Sequence, residues 1–330
     1  MTAPLHTVAG IPVDFILFAL TLLGVAMFHH HTLRLAVIGL FVITLYKLAF
    51  TGIHGVPGLA GLLALLGREW VAIANLLGLL LGSALLARHF EWSQIQALLP
   101  RCLPDDWKGG FAMLVLTFFG VIAAKQQHAL EPIVKDAPAG VQVEWSRLVI
   151  VGLILPSAIG ANVFFNLRNA EALTHWPVIG AAVWIVILLT AVWRPPDWRV
   201  LPDAMRGSVF LLSLVLCALT MPVDRLPVAS WQSAIGLASV SAVFDNIPPT
   251  ALALREGGFD WGFLAYAVGF GGSMIWFGSS AGVALASMYP QARSVGAWIV
   301  GSWHVVVGYL IGFAILLFTL GWQPDARLVP

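Results

Sequence analysis

A carboxylate, an amide and hydroxyls interrupt a long apolar run near residue 245. Residues 245–250 read Asp-Asn-Ile-Pro-Pro-Thr, and Ser241 precedes them by one helical turn. Oxygen atoms of this kind are hard ligands for small cations, and a double proline breaks a helix because it removes two backbone donors. Asp245, Asn246, Thr250 and Ser241 therefore predict a cation site on an interrupted helix. A buried Asp245 could exchange its cation for a proton, because burial raises a carboxyl pKa.

A second stretch, residues 269–282, is rich in glycine and serine. Glycine weakens a helix, and exposed backbone is tolerated in a membrane only where it lines a cavity or packs on protein. We expect an unwound helix here whose Ser279 and Ser280 complete the site. A sodium-like cation would be held by Asp245, Asn246 and Ser279. Close helix packing through Gly278 and Gly282 is the alternative, and the two can coexist.

The first half of the chain carries a weaker polar signal. Residues 125–128 read Lys-Gln-Gln-His inside an apolar run, and Asn162 and Asn166 follow Pro156 in another. The ammonium of Lys125 could replace a coupling cation, attract an anionic substrate, or snorkel to the surface. Lys47, near the end of an apolar run, is expected to snorkel.

The composition sets the class of protein. Of 330 residues, 59% are hydrophobic and 10% are charged, whereas soluble chains carry about 25% charged residues. A polytopic α-helical membrane protein follows. The net charge of +1 provides no basic face for nucleic acid, and Cys102 and Cys217 are too few for a disulfide framework or a cysteine-rich metal site.

Ten apolar runs are candidate membrane segments: 11–28, 33–51, 69–88, 110–131, 147–167, 177–194, 207–222, 231–254, 260–288 and 296–320. Two of them, 110–131 and 231–254, hold polar residues or prolines near their middle and are predicted to be re-entrant hairpins. With eight crossings, basic residues divide ten to five between the two sides. This bias places the richer side in the cytoplasm and both termini outside.

The order span, span, hairpin, span then occurs twice, in opposite orientations. Such inverted repeats with broken helices are typical of secondary transporters. The predicted organisation is an N-terminal span (1–32), a first repeat (33–172), a second repeat (173–290) and a C-terminal span (291–330).

Two segments resemble a known family. Residues 241–248, Ser-Ala-Val-Phe-Asp-Asn-Ile-Pro, and 271–285, Gly-Gly-Ser-Met-Ile-Trp-Phe-Gly-Ser-Ser-Ala-Gly-Val-Ala-Leu, look like the second half of NhaD-type sodium/proton antiporters. These belong to the ion transporter superfamily, together with arsenite permeases and citrate or dicarboxylate transporters. The resemblance implies two inverted repeats, each with a re-entrant hairpin and a broken helix, and elevator-like motion. It would place Asp245, Asn246 and Thr250 on one hairpin tip, facing Ser273, Ser279 and Ser280 on the broken helix. The first half departs from the pattern, above all at Lys125.

These observations predict a multi-pass protein of the inner membrane that is a cation/proton antiporter and not an enzyme. An anion transporter of the same superfamily is the closest alternative. An intramembrane serine hydrolase built on Ser280 and His304, and a non-transporting paralogue, are more remote. No cofactor is expected beyond a transported sodium ion or proton. The expected partners are membrane lipid and a small ion, with a homodimer left open.

Overall fold

The computed structural model describes residues 7–8, 11–28, 31–95, 98, 125, 128–129, 141–222, 228–243, 246–269 and 294–324. These residues are almost entirely helical, apart from a short antiparallel pairing of Thr7–Val8 with Ile11–Pro12. They form two compact units, one of Met1–Ala64 with Ser213–Pro330 and the other of Leu65–Leu212. The chain is therefore all-α, as its composition predicts. The bounds of the two sequence repeats stay a prediction.

The described helices, numbered along the chain, are α1 Val13–Met27, α2 Thr32–Tyr46, α3 Gly58–Trp92, α4 Trp145–Arg168, α5 Ala170–His175, α6 Val178–Ala191, α7 Leu201–Leu219, α8 Trp231–Val243, α9 Ile247–Glu256, α10 Trp261–Gly269 and α11 Val295–Leu320. A π-helical turn, Lys47–Thr51, continues α2.

Five segments of the described chain are long and apolar enough to cross a membrane: Thr32–Thr51, Gly58–Trp92, Trp145–Arg168, Trp198–Leu219 and Trp303–Leu320. Their outer faces are apolar as well, since Phe41 is 67% exposed and Phe318 is 88% exposed. Faces of this size and hydrophobicity are unfavourable in water and suit the hydrocarbon of a bilayer. The described helices are those of a membrane protein.

In the second unit, small residues bring α3 and α6 close together. A Cβ on Gly78 would lie 3.2 Å from the Cα of Gly180. The backbone N–H of Gly180 donates to Asn75 Oδ1 at 3.0 Å, and Trp184 Nε1 donates to the carbonyl of Gly78 at 3.0 Å. Gly180 lies in the first turn of α6, where N–H groups lack intrahelical partners, so Asn75 satisfies one of them. Trp184 also packs against the buried cluster that includes Val183 and Ile187.

The resemblance implies a broken helix in the first repeat, and at Pro156 that expectation is wrong. The helix α4 runs without interruption from Trp145 to Arg168, with Pro156 inside it. One proline removes a single hydrogen bond, which a helix of this length can lose without ending. The hydroxyl of Ser157 also donates to the carbonyl of Ile154 at 2.6 Å.

Candidate functional site

The predicted interruption of the run 231–254 is present among the described residues as two short helices. The first, α8, ends at Val243, and the second, α9, begins at Ile247 with Asn246 as its N-cap. Pro248 and Pro249 stand in the first turn of α9, where a missing N–H is harmless. The two helices are ~20 Å and ~15 Å long, and neither reaches across a hydrocarbon core of about 30 Å.

The outer ends of these two helices lie side by side. A Cβ on Gly258, just after α9, would lie 3.5 Å from the Cβ of Ala229, just before α8. Gly257 and Gly258 have φ values of +71° and +73°, a conformation that glycine adopts readily. These glycines let the chain turn sharply at the end of α9. The start of α8 and the end of α9 therefore lie at one place.

Ser241 lies at the far end of this pair. Its side chain is fully buried, and its Oγ is 3.5 Å from the carbonyl oxygen of Val268 in α10. Ten residues of helix separate it from Trp231, which is ~15 Å and about half the thickness of a hydrocarbon core. Ser241 is thus a buried hydroxyl at the end of α8 that is farther from Trp231.

Thr250 is already engaged through its hydroxyl hydrogen. Its Oγ1 donates to the carbonyl of Asn246 at 2.5 Å, while the lone pairs of that hydroxyl oxygen are not used in this bond. This is a local bond to a backbone carbonyl one helical turn away, and the predicted role of Thr250 and Asn246 in an ion site stays a prediction. Asp245, Ser273, Ser279 and Ser280 lie outside the described residues, and so does most of the predicted sodium-like ligand set.

The candidate residues of the first half occupy exposed positions. The side chain of Lys125 is exposed. Asn162 and Asn166, one turn apart in α4, bond to each other, with Asn166 Nδ2 2.8 Å from Asn162 Oδ1. Both lie in the last two turns of α4, which is close to one end of that span.

The two ends of the segment between α3 and α4 meet. The backbone N–H of Glu144 donates to the carbonyl of Ser93 at 3.1 Å, and Arg147 Nη1 donates to His89 Nδ1 at 3.2 Å. If α3 and α4 each cross the membrane, a single crossing by residues 110–131 would put Ser93 and Glu144 on opposite faces.

A network of charges surrounds this meeting point. Glu144 accepts from Arg147 at 2.8 Å and lies 3.3 Å from Arg194, and Arg88 pairs with Asp197 at 3.2 Å. The hydrogen bond from Arg147 lowers the pKa of Glu144 below its ordinary value. Arg88, Arg147 and Arg194 thus gather at one end of the second unit, and the eight-crossing charge distribution stays a prediction.

Sequence reasoning missed a buried ion pair in the first unit. Lys47 Nζ lies 2.8 Å from Asp14 Oδ2, and the two side chains are 4% and 1% exposed. The expectation that Lys47 snorkels is therefore wrong, because a carboxylate on the neighbouring helix receives its ammonium inside the protein. The sequence did carry a signal for this pair. Asp14 lies at the start of one apolar run and Lys47 near the end of the next, and two antiparallel helices bring those ends together.

Glu256 is the last residue of α9 and lies beside the paired outer ends of α8 and α9. Burial raises its pKa to about 7, which puts its change of charge in the physiological range. His304 of α11 is also buried, and its Nδ1 has no hydrogen-bond partner among the residues that the structure describes.

No protein-family model, curated protein or solved structure matches the chain.

Proposed function

We propose that this protein is a multi-pass secondary transporter of the inner membrane that exchanges a small monovalent cation, most simply sodium, for protons. The exchange site is formed by Asp245 and Asn246, with Thr250, Ser241 and the serines of residues 273–280. The observation that carries the proposal is the pair α8 and α9. These two short helices have outer ends that meet, and the polar motif lies between their inner ends in the sequence.

The geometry of this pair supports a re-entrant hairpin. Each helix is too short to cross a bilayer, and the contact of Ala229 with Gly258 returns the chain to the face it left. Non-helical backbone at membrane depth is tolerated where protein or a water-filled cavity covers it. The buried hydroxyl of Ser241 supports a polar environment at the inner end of the hairpin.

The meeting of Ser93 with Glu144 supports a second hairpin in the first half. The predicted hairpin at 110–131 lies almost wholly outside the described residues; if α3 and α4 both span the membrane, such a hairpin would account for the meeting of their ends. Two hairpins in oppositely oriented repeats are the architecture of secondary transporters.

The coupling follows from the charge of one carboxylate. A buried Asp245 is stable when a cation or a proton neutralises it and unstable when it is bare, because an unpaired buried charge is strongly disfavoured. Cation and proton therefore compete for the same carboxylate, and the protein carries the two in opposite directions across the membrane.

Transport in everted vesicles tests the proposal. Sodium or lithium should dissipate an imposed pH gradient through the wild-type protein, and Asp245→Asn should abolish this exchange. Asp203→Asn is the matched control, because Asp203 is an acid with a side chain that is 79% exposed, and it should exchange like wild type. Wild-type exchange by Asp245→Asn would remove Asp245 from the mechanism.

Anion uptake is the second candidate, and Lys125 is the residue that favours it. Its ammonium lies in the segment whose ends meet at Ser93 and Glu144. If the substrate is an anion such as citrate or arsenite, Lys125→Ala should raise KM steeply. A lost charge-assisted hydrogen bond costs about 1.5–3 kcal/mol, which is roughly ten- to more than a hundredfold in affinity. If the substrate is a cation, Lys125→Ala should retain exchange with weaker coupling.

A further inference from the structure

A small cavity lies between the start of α10 and the end of α11. Its volume is about 280 Å³, and Phe263, Leu316 and Leu320 form its apolar lining. Asp260 and Gln323 belong to its polar lining. The cavity thus combines an apolar wall with a carboxylate at a place where two helices end.

Asp260 joins the two helix ends through its side chain. Its Oδ1 accepts from the backbone N–H groups of Gly262 and Phe263 at 2.8 and 3.2 Å, which caps the first turn of α10. Its Oδ2 accepts from the backbone N–H of Gln323, just past α11, at 2.9 Å. None of these three donors carries a charge, so none of them neutralises the carboxylate. An ionised carboxylate offers about four acceptor positions, so Oδ2 has room for one further donor.

The end of α11 adds negative potential to the cavity. Leu316 and Leu320 belong to the last two turns of α11, and Gly321 follows with a φ of +70°, a common conformation after the last turn of a helix. The carbonyl end of a helix carries about half an elementary negative charge. The first turn of α10 is a positive helix end, but Asp260 already occupies two of its N–H groups. The complementary ligand is therefore a cation.

The surroundings of the cavity indicate which kind of cation. Phe318 and Leu320, near the end of α11, are 88% and 64% exposed, as expected of side chains that face lipid in a spanning helix. A hydrated metal ion would gain nothing from the apolar lining, whereas a lipid can place its acyl chains beside it. A volume of about 280 Å³ is at the lower end of the range for small-molecule pockets. The cavity therefore suits a headgroup and not a whole lipid.

We propose that this cavity binds the headgroup of a lipid with a primary ammonium group, namely phosphatidylethanolamine. A primary ammonium has three N–H donors, and one of them donates to Asp260 Oδ2. The phosphate stays in water, and the acyl chains lie along the exposed face of α11. This binding requires that α11 lies in the membrane and does not depend on what the protein transports.

Native mass spectrometry of the purified protein tests the class of lipid. In an equimolar mixture of phosphatidylethanolamine, phosphatidylcholine and phosphatidylglycerol with identical acyl chains, the wild type should retain phosphatidylethanolamine several-fold over the other two. Phosphatidylcholine has no N–H donor on its nitrogen, and phosphatidylglycerol has no cation. Asp260→Asn keeps a side-chain oxygen for the cap but removes the charge, and it should lose the preference.

Asp203→Asn is the matched control, because the side chain of Asp203 is 79% exposed and lies in the other unit. It should retain phosphatidylethanolamine like the wild type. A wild-type protein without a preference, or a preference that survives in Asp260→Asn, would overturn the proposal.

Photocross-linking locates the site in the wild-type protein, and this experiment decides if Asp260→Asn does not fold. A phosphatidylethanolamine with a diazirine in its acyl chain, close to the headgroup, should cross-link to the last turns of α11, around Leu316 and Leu320. An excess of unlabelled phosphatidylethanolamine, but not of phosphatidylcholine, should suppress these cross-links. Cross-links confined to other helices, or equal suppression by the two lipids, would rule out this cavity as the site.

Discussion

Two sets of opposite charges hold helices together in this protein, one buried and one exposed. Asp14 and Lys47 form an isolated pair with side chains that are 1% and 4% exposed. In the network at the ends of α3, α4 and α6, by contrast, Glu144 and Arg194 have side chains that are 34% and 45% exposed. Glu144 has two arginine partners, whereas the pair in the first unit has no substitute for either member among the described residues. Burial and redundancy, and not the number of ion pairs, should decide how strongly each region responds to substitution.

The largest effect is expected at the buried pair. Asp14→Leu leaves the ammonium of Lys47 buried without its carboxylate, and breaking a buried pair in this way costs about 3–5 kcal/mol. The free energy of unfolding in detergent should fall by that amount. Asp14→Leu/Lys47→Met, which removes both charges, should recover most of the loss. A single variant as stable as the wild type would show that Lys47 finds another partner.

The next effect concerns the packing of the second unit and not its charges. A Cβ on Gly82 of α3 would lie 2.5 Å from Val183 Cγ1 in α6, so Gly82→Ala should destabilise through overpacking by about 1–3 kcal/mol. Gly67→Ala on the same helix is the control, because its Cβ meets nothing within 4 Å. Gly67→Ala should stabilise the protein by roughly 0.5–1 kcal/mol, because alanine is more favourable than glycine inside a helix. If Gly82→Ala and Gly67→Ala change the free energy of unfolding equally, α3 and α6 are not closely packed in solution.

The sequence predicted the helices better than the contacts between them. Runs of apolar residues locate the helices: the run 147–167 corresponds to α4, and the run 177–194 to α6. The double proline and Asn246 locate the interruption between α8 and α9. The pairing of Asp14 with Lys47 was indicated only by an acid and a base at ends of successive apolar runs that antiparallel helices would bring together, and this signal does not specify that the two side chains touch. Their meeting depends on the close approach of α1 and α2, where a Cβ on Gly39 would overlap the side chain of Thr21.

A smaller, pH-dependent effect is expected at Glu256. Burial raises its pKa to about 7 from an ordinary 4.5, so the folded protein binds this proton more tightly than the unfolded chain. The contribution of Glu256 to stability is full below pH 4.5 and is lost as the pH rises through 7. Glu256→Gln should therefore match the wild type in Tm near pH 4.5 and exceed it above pH 7. A difference in Tm that does not change with pH would contradict the raised pKa.

The smallest effect is expected in the exposed network. The pKa of Glu144 is lowered by Arg147, so its contribution is present above the ordinary value of 4.5 and is lost as the pH falls through the folded-state pKa. Exposed pairs contribute about 0–1 kcal/mol. Glu144→Gln should lower stability slightly at neutral pH, less so at high salt, and not at all in acid. A loss as large as that of Asp14→Leu would mean that the network is buried in the membrane-bound protein.

The central claim is that each polar interruption is a hairpin whose two ends share one face of the membrane. Single cysteines, introduced after Cys102 and Cys217 are replaced by alanine, test this by labelling with an impermeant thiol reagent in sealed vesicles of both orientations. Gln94→Cys and Gln142→Cys flank the predicted hairpin at 110–131. Val228→Cys and Trp261→Cys flank the predicted hairpin at 231–254. All four positions are exposed. We predict that the two members of each pair react from the same side, the first pair from the cytoplasm and the second from outside. If the two members of either pair react from opposite sides, the result would contradict the hairpins and the transport site built on them.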